Sequence, residues 1–148
     1  IRGLQKKWGP PAGRLILEVT ESAVMGDILH VSGIMDDLAS IGVEFSIDDF
    51  GTGYSSLSHL KRLPVNELKI DRSFVMEMDQ DPDDEIIIRS MIDLAHNMGL
   101  RVVAEGVESA RTLEKLRKLG CDQAQGFHIA RPASASAIAR DLSIRPPG

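Results

Sequence analysis

The stretch that decides the fold is GVEFSIDD at residues 42–49. Apolar and polar side chains alternate along it, with Val43, Phe45 and Ile47 on one face and Glu44, Ser46 and Asp48 on the other. This two-residue period is typical of a strand that buries one face. A glycine precedes the run and two aspartates end it, so the stretch predicts a strand that delivers carboxylates at its carboxyl end.

Outward from this stretch, the same unit recurs four times. The runs LILE, NELK, LRVVAE and CDQAQ end at Glu18, Lys69, Glu105 and Gln125. With Asp48 included there are five polar ends, and each lies five or six residues after a glycine or proline. In chain order these are Gly13, Gly42, Pro64, Gly99 and Gly120. At about 3.3 Å per residue, the five strands would raise their polar ends to a similar height, roughly 17–20 Å.

Helix-spaced apolar residues fill the segments between the strands. They predict helices over 27–41, 83–98 and 109–119, with a shorter helix at 55–62 and a last one at 134–142. The first three are each followed by a glycine, which adopts the left-handed conformation at a helix end without steric cost. The chain therefore alternates strand, loop and helix.

This alternation predicts an α/β fold with a parallel sheet. Parallel strands carry their carboxyl ends to one edge, so the five polar ends should meet at one rim. Five units in 148 residues make a little over half of a (β/α)8 barrel, which takes about 200–250 residues. The residues alone leave open both part of such a barrel and an open parallel sheet.

The side chains at the five strand ends are chemically complementary to one another. Four carboxylates, one amine and one amide would lie there. Carboxylate clusters on rigid strand ends suit hard divalent cations, and a lysine beside them suits a phosphate or a water nucleophile. Without further information, the same rim would also fit a magnesium enzyme that abstracts protons with a lysine base.

Composition excludes several other classes of function. The net charge of −5 and the lack of a basic stripe argue against binding a nucleic-acid polymer. Cys121 is the single cysteine, so the chain can form neither a disulfide framework nor a zinc ribbon. We find no long apolar run or signal-peptide pattern, and we expect a cytoplasmic chain without a membrane segment. Because the first residue is Ile1, we expect the chain to be cut from a longer protein.

Four motifs give the sequence a family resemblance. LEVTES at 17–22, DDFGTGYSSLSHLKRLPVNELKIDRSF at 48–74, AEGVES at 104–109 and QGFHIARP at 125–132 resemble the second half of an EAL domain. The resemblance covers residues 13–132. It implies a TIM-like barrel, of which this chain is the C-terminal part with about five βα units. It also implies hydrolysis of the bacterial second messenger cyclic-di-GMP with two divalent metals, Mg²⁺ or Mn²⁺.

The resemblance implies the metal ligands residue by residue. Glu18 would bind the first metal, and Asp48 would bridge both metals. Asp49 would bind the second metal, and Glu105 would complete its shell and contribute to catalysis. Lys69 would hold the nucleophilic water or the scissile phosphate.

The remaining implied residues act around these ligands. Gln125 would orient water or substrate in the same pocket. Glu21 and Glu108 would be supporting acids, with Glu21 holding the loop that contains DDFGTGYSS. Gly51 and Gly53 would let that loop turn tightly, and the loop is also implied in dimer contacts and in control of metal binding.

The chain departs from the family pattern at its start. The EAL signature glutamate and a following asparagine, both first-metal ligands, are absent from the residues before LEVTES. We therefore expect residues 1–148 to be a partial EAL domain that pairs with a missing N-terminal half or forms a homodimer. The residues leave open a parent protein that is anchored to a membrane through other domains. A non-catalytic module that binds nucleotide or a partner protein is the alternative function.

Overall fold

A computed structural model describes residues 15–25, 28–51 and 60–144, together with Gly3. Strands and helices alternate through these residues. The strands are β1 (Leu15–Thr20), β2 (Val43–Phe50), β3 (Glu67–Ile70), β4 (Arg101–Ala104) and β5 (Gln123–Ala124). The helices are α1 (Glu21–Met25), α2 (Ile28–Ala39), α3 (Arg72–Glu77), α4 (Pro82–Asn97), α5 (Ala110–Lys118) and α6 (Ala135–Ile144).

The five strands form one parallel sheet in the consecutive order β1-β2-β3-β4-β5. The register sets Leu15 beside Val43, Leu68 beside Val102 and Ala104 beside Ala124. A doubly wound sheet reverses its strand order at a switch point, whereas consecutive order is the arrangement of a barrel. The α/β class and the five parallel strands are therefore confirmed.

Four predicted helices are observed within two residues of their expected bounds, as α2, α4, α5 and α6. Gly42, Gly99 and Gly120 follow the first three and have φ angles of 85°, 76° and 84°. These left-handed values are the predicted glycine ends. Asp81 caps α4 by accepting the N–H of Asp83. The helix predicted at 55–62 lies mostly outside the described residues.

Helices α1 and α3 were not predicted, because each is too short to show a helical period. Both begin directly after the carboxyl end of a strand or one residue beyond it. Asp71 caps α3 by accepting the N–H of Ser73 at 2.9 Å. These short helices turn the chain away from the rim immediately above the strand ends.

The core lies between the sheet and the helices. Phe45, Leu68, Ile70 and Val102 are fully buried on the apolar strand faces, as alternation predicted. The opposite face is also largely buried at the middle strands, where Ser46 is 1% exposed and Glu67, between Ser46 and Arg101 in the sheet, is 5% exposed. A buried polar layer therefore lies on the other side of the middle strands.

Within the described residues, no helix combines the length and the apolar character needed to cross a membrane.

Candidate functional site

Lys69 is the centre of the rim. Its Nζ lies 2.6 Å from Glu105 Oε1, 2.9 Å from Glu18 Oε2 and 3.2 Å from Asp48 Oδ1. The three carboxylates come from β1, β2 and the residue after β4, so four elements meet at one ammonium group. The side chain of Lys69 is 5% exposed. The structure thus brings together four of the predicted site residues.

Two effects oppose each other at the Lys69 ammonium. Burial lowers the pKa of Lys69, because a buried charge loses its hydration. Hydrogen bonds to Glu105, Glu18 and Asp48 outweigh that loss and raise the pKa above its ordinary value. Lys69 is therefore a permanent cation at neutral pH in this arrangement, and it serves as a hydrogen-bond donor rather than as a base.

The strand ends differ in detail from the prediction. Glu18 was predicted to end its strand, but β1 continues to Thr20 because every residue of Leu15–Thr20 pairs with β2. Lys69 lies one residue before the end of β3. Both side chains reach the rim from within their strands, because the alternation turns them to the polar face.

Gln125 directly follows β5, which is two residues long. Its Nε2 donates to Glu105 Oε1 at 2.6 Å, and Lys69 Nζ donates to the same oxygen. One carboxylate oxygen therefore accepts from an amide and an ammonium group. Glu105 is held more tightly than Glu18, whose side chain is 55% exposed.

The second aspartate of β2 occupies a special backbone position. Asp49 has a φ angle of 56°, and its N–H donates to Asp48 Oδ1 at 3.1 Å. The pairing register of β2 with β3 shifts between Ile47 and Phe50. Left-handed backbone at a residue other than glycine is uncommon outside functional or tightly constrained sites. The irregularity therefore falls on the two adjacent aspartates that end the predicted strand.

Glu21 and Gly51 connect α1 to the segment after β2. Glu21 is 5% exposed, and its Oε2 accepts the N–H of Gly51 at 3.4 Å. Gly51 has a φ angle of 98°, and a Cβ there would lie 2.2 Å from Met91 Cε. Glycine at position 51 is therefore favoured chiefly by its backbone angle, because the methyl end of the flexible Met91 side chain can move aside. Gly53 lies outside the described residues.

An open pocket of about 910 Å³ lies beside the Lys69 cluster. Glu105 and Gln125 belong to its wall, as does the exposed Glu108. Sequence reasoning missed three other wall residues, Arg72, Phe127 and Arg131. The guanidinium carbon of Arg131 lies 4.8 Å from the centre of the Phe127 ring. None of the three directly follows a strand end, since Arg72 begins α3 and both Phe127 and Arg131 lie further along the segment after β5.

The side chains at the rim are chemically suited to bind a divalent cation. They present carboxylate oxygens, which are the ligands that Mg²⁺ and Mn²⁺ prefer. Three carboxylates share the one ammonium of Lys69, so the cluster keeps two negative charges in excess. Across the described part of the chain, no three His, Cys, Asp or Glu side chains converge closely enough to hold a metal ion. In this arrangement Lys69 offsets one of the three negative charges.

The histidines lie away from this cluster or outside its geometry. His96 Nε2 is 2.9 Å from Asp122 Oδ2, at the opposite end of β4. His30 and His128 are exposed, and His59 lies outside the described residues.

A sequence model of one protein family, the EAL domain, matches residues 1–132. The bifunctional diguanylate cyclase/cyclic di-GMP phosphodiesterase MucR of Pseudomonas aeruginosa is 50% identical over 124 residues. The match covers 84% of this chain and 18% of MucR.

Two solved structures are similar to the chain. A MucR phosphodiesterase in complex with c-di-GMP has a TM-score of 0.88 and 46% identity, covering 93% of this chain and 56% of that one. The EAL domain of Mycobacterium smegmatis DcpA has a TM-score of 0.89 and 48% identity, covering 95% and 63%. EAL domains have a TIM-like barrel fold, so the fold prediction is confirmed. The chain spans less than two thirds of each of these proteins.

Proposed function

The chain belongs to the EAL domain family, and we propose that it forms the C-terminal part of a domain that hydrolyses cyclic-di-GMP to the linear dinucleotide. Similarity to MucR, a protein described as a cyclic di-GMP phosphodiesterase, supports the proposal, as does the structural match to its c-di-GMP complex. We propose that residues 1–148 are a partial domain, whose remaining part is supplied by other sequence.

The observation that carries the proposal is the Lys69 cluster beside the pocket. A buried, permanently charged ammonium group meets three carboxylates, and one of these, Glu105, lies in the wall of a cavity large enough for a nucleotide. Phosphodiester hydrolysis needs such a combination, because water must be activated while negative charge builds on the phosphate.

EAL phosphodiesterases are generally metal-dependent. We assign Glu18, Asp48, Asp49 and Glu105 as the residues that would hold Mg²⁺ or Mn²⁺. When bound, the cations would lower the pKa of a water and neutralise charge that develops on the phosphate. The two unbalanced negative charges of the cluster favour cation binding there.

The chain's own residues have separate roles in the proposed reaction. The oxygen of water forms a new bond to phosphorus, and the bond from phosphorus to one ribose oxygen breaks. The water loses one proton to solvent and the leaving ribose oxygen takes one up, so the protons balance. Lys69 donates hydrogen bonds to the water or to a phosphate oxygen and cannot act as the base while it stays charged. Gln125, which donates to the same Glu105 oxygen as Lys69, orients the water or substrate.

Supporting roles fall to the residues around the second aspartate. We propose that Glu21 holds the loop after β2 through the N–H of Gly51. Gly51 allows the tight turn at the start of that loop, and Glu108 supports the pocket wall from its exposed position. We propose the same role for Gly53, which lies outside the described residues.

The pocket wall supports a nucleotide as the ligand. Phe127 presents an exposed aromatic ring, on which a base can stack, and Arg131 lies over that ring. Arg72 adds a second guanidinium group, whose planar donors match phosphate oxygens. The combination of one aromatic face and two guanidinium groups fits a purine nucleotide better than an uncharged ligand.

Two finer proposals concern assembly and location. In the described sheet β1 and β5 each pair on one side only, so the outer backbone groups are open to a second copy or to the remainder of the domain. We propose a homodimer or pairing with an N-terminal half. Since the proposed substrate is an intracellular messenger, we place the site in the cytoplasm.

The second candidate function is a non-catalytic module that binds nucleotide or a partner protein. This alternative rests on two first-metal ligands of the family, the signature glutamate and the following asparagine, which have no counterpart in the residues before LEVTES. Such a module would bind cyclic-di-GMP without converting it.

Incubation of the purified chain with cyclic-di-GMP and Mn²⁺ or Mg²⁺, followed by chromatography of the linear product, tests the proposal. Turnover by the chain, or after an N-terminal half is added, is the expected result. Lys69→Met in the active form should abolish turnover, while Lys118→Met, at a lysine 70% exposed on α5, should not. Binding without turnover in every combination would favour the module, and retained turnover in Lys69→Met would refute the assigned site.

A further inference from the structure

Two loops beside the pocket are joined by main-chain hydrogen bonds at Val107. The N–H of Val107 donates to the carbonyl of Gln125 at 3.0 Å, and the N–H of His128 donates to the carbonyl of Val107 at 3.0 Å. The side chain of Val107 is fully buried in the core. We call residues 105–109 and 125–128, with these two bonds, the Val107 clamp. Because one anchored residue bonds in both directions, the loops are fixed relative to each other.

The clamp requires glycine at position 126. A Cβ on Gly126 would lie 2.2 Å from the carbonyl oxygen of Val107 and 2.3 Å from its nitrogen. Those atoms belong to the backbone of a buried residue and cannot move aside without breaking the two hydrogen bonds. The absent side chain is therefore what permits the close approach of the loops.

The clamp determines where two predicted site residues lie. Glu105 and Gln125 stand at the first positions of its two loops, and the amide of Gln125 donates to Glu105 at 2.6 Å. At the start of its loop, the N–H of Gln125 also donates to the carbonyl of Ala104, the last residue of β4, at 2.9 Å. Each loop is thus anchored on both sides of its functional residue. The exposed side chain of Gln125 has few packing neighbours to hold it otherwise.

The other side of the clamp presses against α3. A Cβ on Gly106 would lie 2.6 Å from Arg72 Cβ and 3.3 Å from Arg72 Cα. The φ angle of Gly106 is 71°, which also favours glycine. The clamp therefore fixes the distance between Arg72 and the opposite pocket wall as well as the site itself.

We propose that Val107 and Gly126 are positioning residues, which act by fixing Glu105 and Gln125 toward the proposed substrate; this inference rests on the proposed function. A displacement of about 1 Å in a reacting group lowers rates as much as a hundredfold. Gly126→Ala pushes directly against the bonded atoms of Val107. It should release Gln125 from Glu105 without removing any group that touches substrate.

Amide hydrogen exchange tests the clamp independently of any ligand. In the unmodified chain the amides of Val107 and His128 should be protected, although both lie in loops. In Gly126→Ala they should exchange at least about tenfold faster, and the side-chain amide resonance of Gln125 should shift toward that of a free amide. Fast exchange in the unmodified chain would refute the clamp without any variant.

Gly120→Ala is the matched control. Gly120 has a φ angle of 84° and open space around its Cβ position, so alanine there strains the backbone without touching the clamp. Both variants should lose thermal stability, but only Gly126→Ala should alter the Val107 and His128 amides. If Gly126→Ala does not fold, Gly106→Ala provides the second perturbation, through Arg72.

Calorimetric titration with cyclic-di-GMP then tests the positioning role. Binding by Gly126→Ala should be about tenfold weaker than by Gly120→Ala, because the pocket wall is displaced. Equal affinity within twofold would overturn the role. If the unmodified chain binds no cyclic-di-GMP, alone or with an added N-terminal half, while its amides behave as expected, the proposed function has failed and the positioning role with it, but the clamp stands.

Discussion

Replacing the central ammonium group should destabilise the fold measurably. Lys69→Met keeps an unbranched side chain at a position 5% exposed, but it removes the cation shared by Glu105, Glu18 and Asp48. Breaking a buried ion pair typically costs 3–5 kcal/mol, because the remaining charge is uncompensated. Since these carboxylates are 17%, 55% and 24% exposed and regain some hydration, we expect a smaller loss, about 2–3 kcal/mol.

Thermal and urea denaturation in the presence of a chelator measure this loss. For a domain of this size about 2–3 kcal/mol corresponds to a melting temperature lower by roughly 5–10 °C. Lys118→Met is the control, because Lys118 Nζ lies 3.6 Å from Glu114 on an exposed helix face. An exposed pair of this kind contributes less than about 0.5 kcal/mol. If the two variants have the same free energy of unfolding, the three-carboxylate network contributes nothing to stability and our electrostatic reasoning is wrong.

Three further predictions concern regions away from the site. Gly33→Ala should raise the free energy of unfolding by about 0.5–1 kcal/mol in a urea titration, because Gly33 is an exposed helical residue with open space around it. Burial raises the pKa of Cys121 to about 11, so alkylation by iodoacetamide at pH 7.5 should be about a hundredfold slower than in the unfolded chain; equal rates would contradict this. Burial raises the pKa of Asp122, but hydrogen bonds from His96 and Val102 lower it below its ordinary value. Asp122→Asn should therefore cost about 0.5–1 kcal/mol near neutral pH, discounted for exposure, and the loss should vanish as the pH falls through the lowered pKa of Asp122; a loss that persists at pH 2 would have another cause.

The sequence predicted the repeated unit well because each signal was local. Alternation identified β2, and the glycines after α2, α4 and α5 set the helix ends from backbone preference alone. The polar residues near strand ends followed from the parallel topology. Spacing, by contrast, misplaced the end of β1, because the strand extends for as long as β2 offers it a partner.

The parts of the site that escaped prediction depend on contacts between distant segments. Arg72, Phe127 and Arg131 share a pocket wall only because α3 and the loop after β5 are brought together by the sheet. The close approach of Gly126 to Val107 has no periodic signature either. Gly106 and Gly126 were visible in the sequence motifs, but only the three-dimensional structure shows which residue each of them contacts.

The consecutive strand order has a consequence for how the sheet accumulates stability. Every strand in the described sheet pairs only with the strands next to it in sequence. Pairing of this kind resembles a linear array, in which each unit adds its own stability and one interface with its neighbour. Units at an edge can then be added, removed or exchanged between chains without re-threading the interior. Exchange of the edge strands would leave the middle strands of such a sheet in place. Here the middle strands β2 and β3 contain Asp48 and Lys69, and β4 leads directly into Glu105.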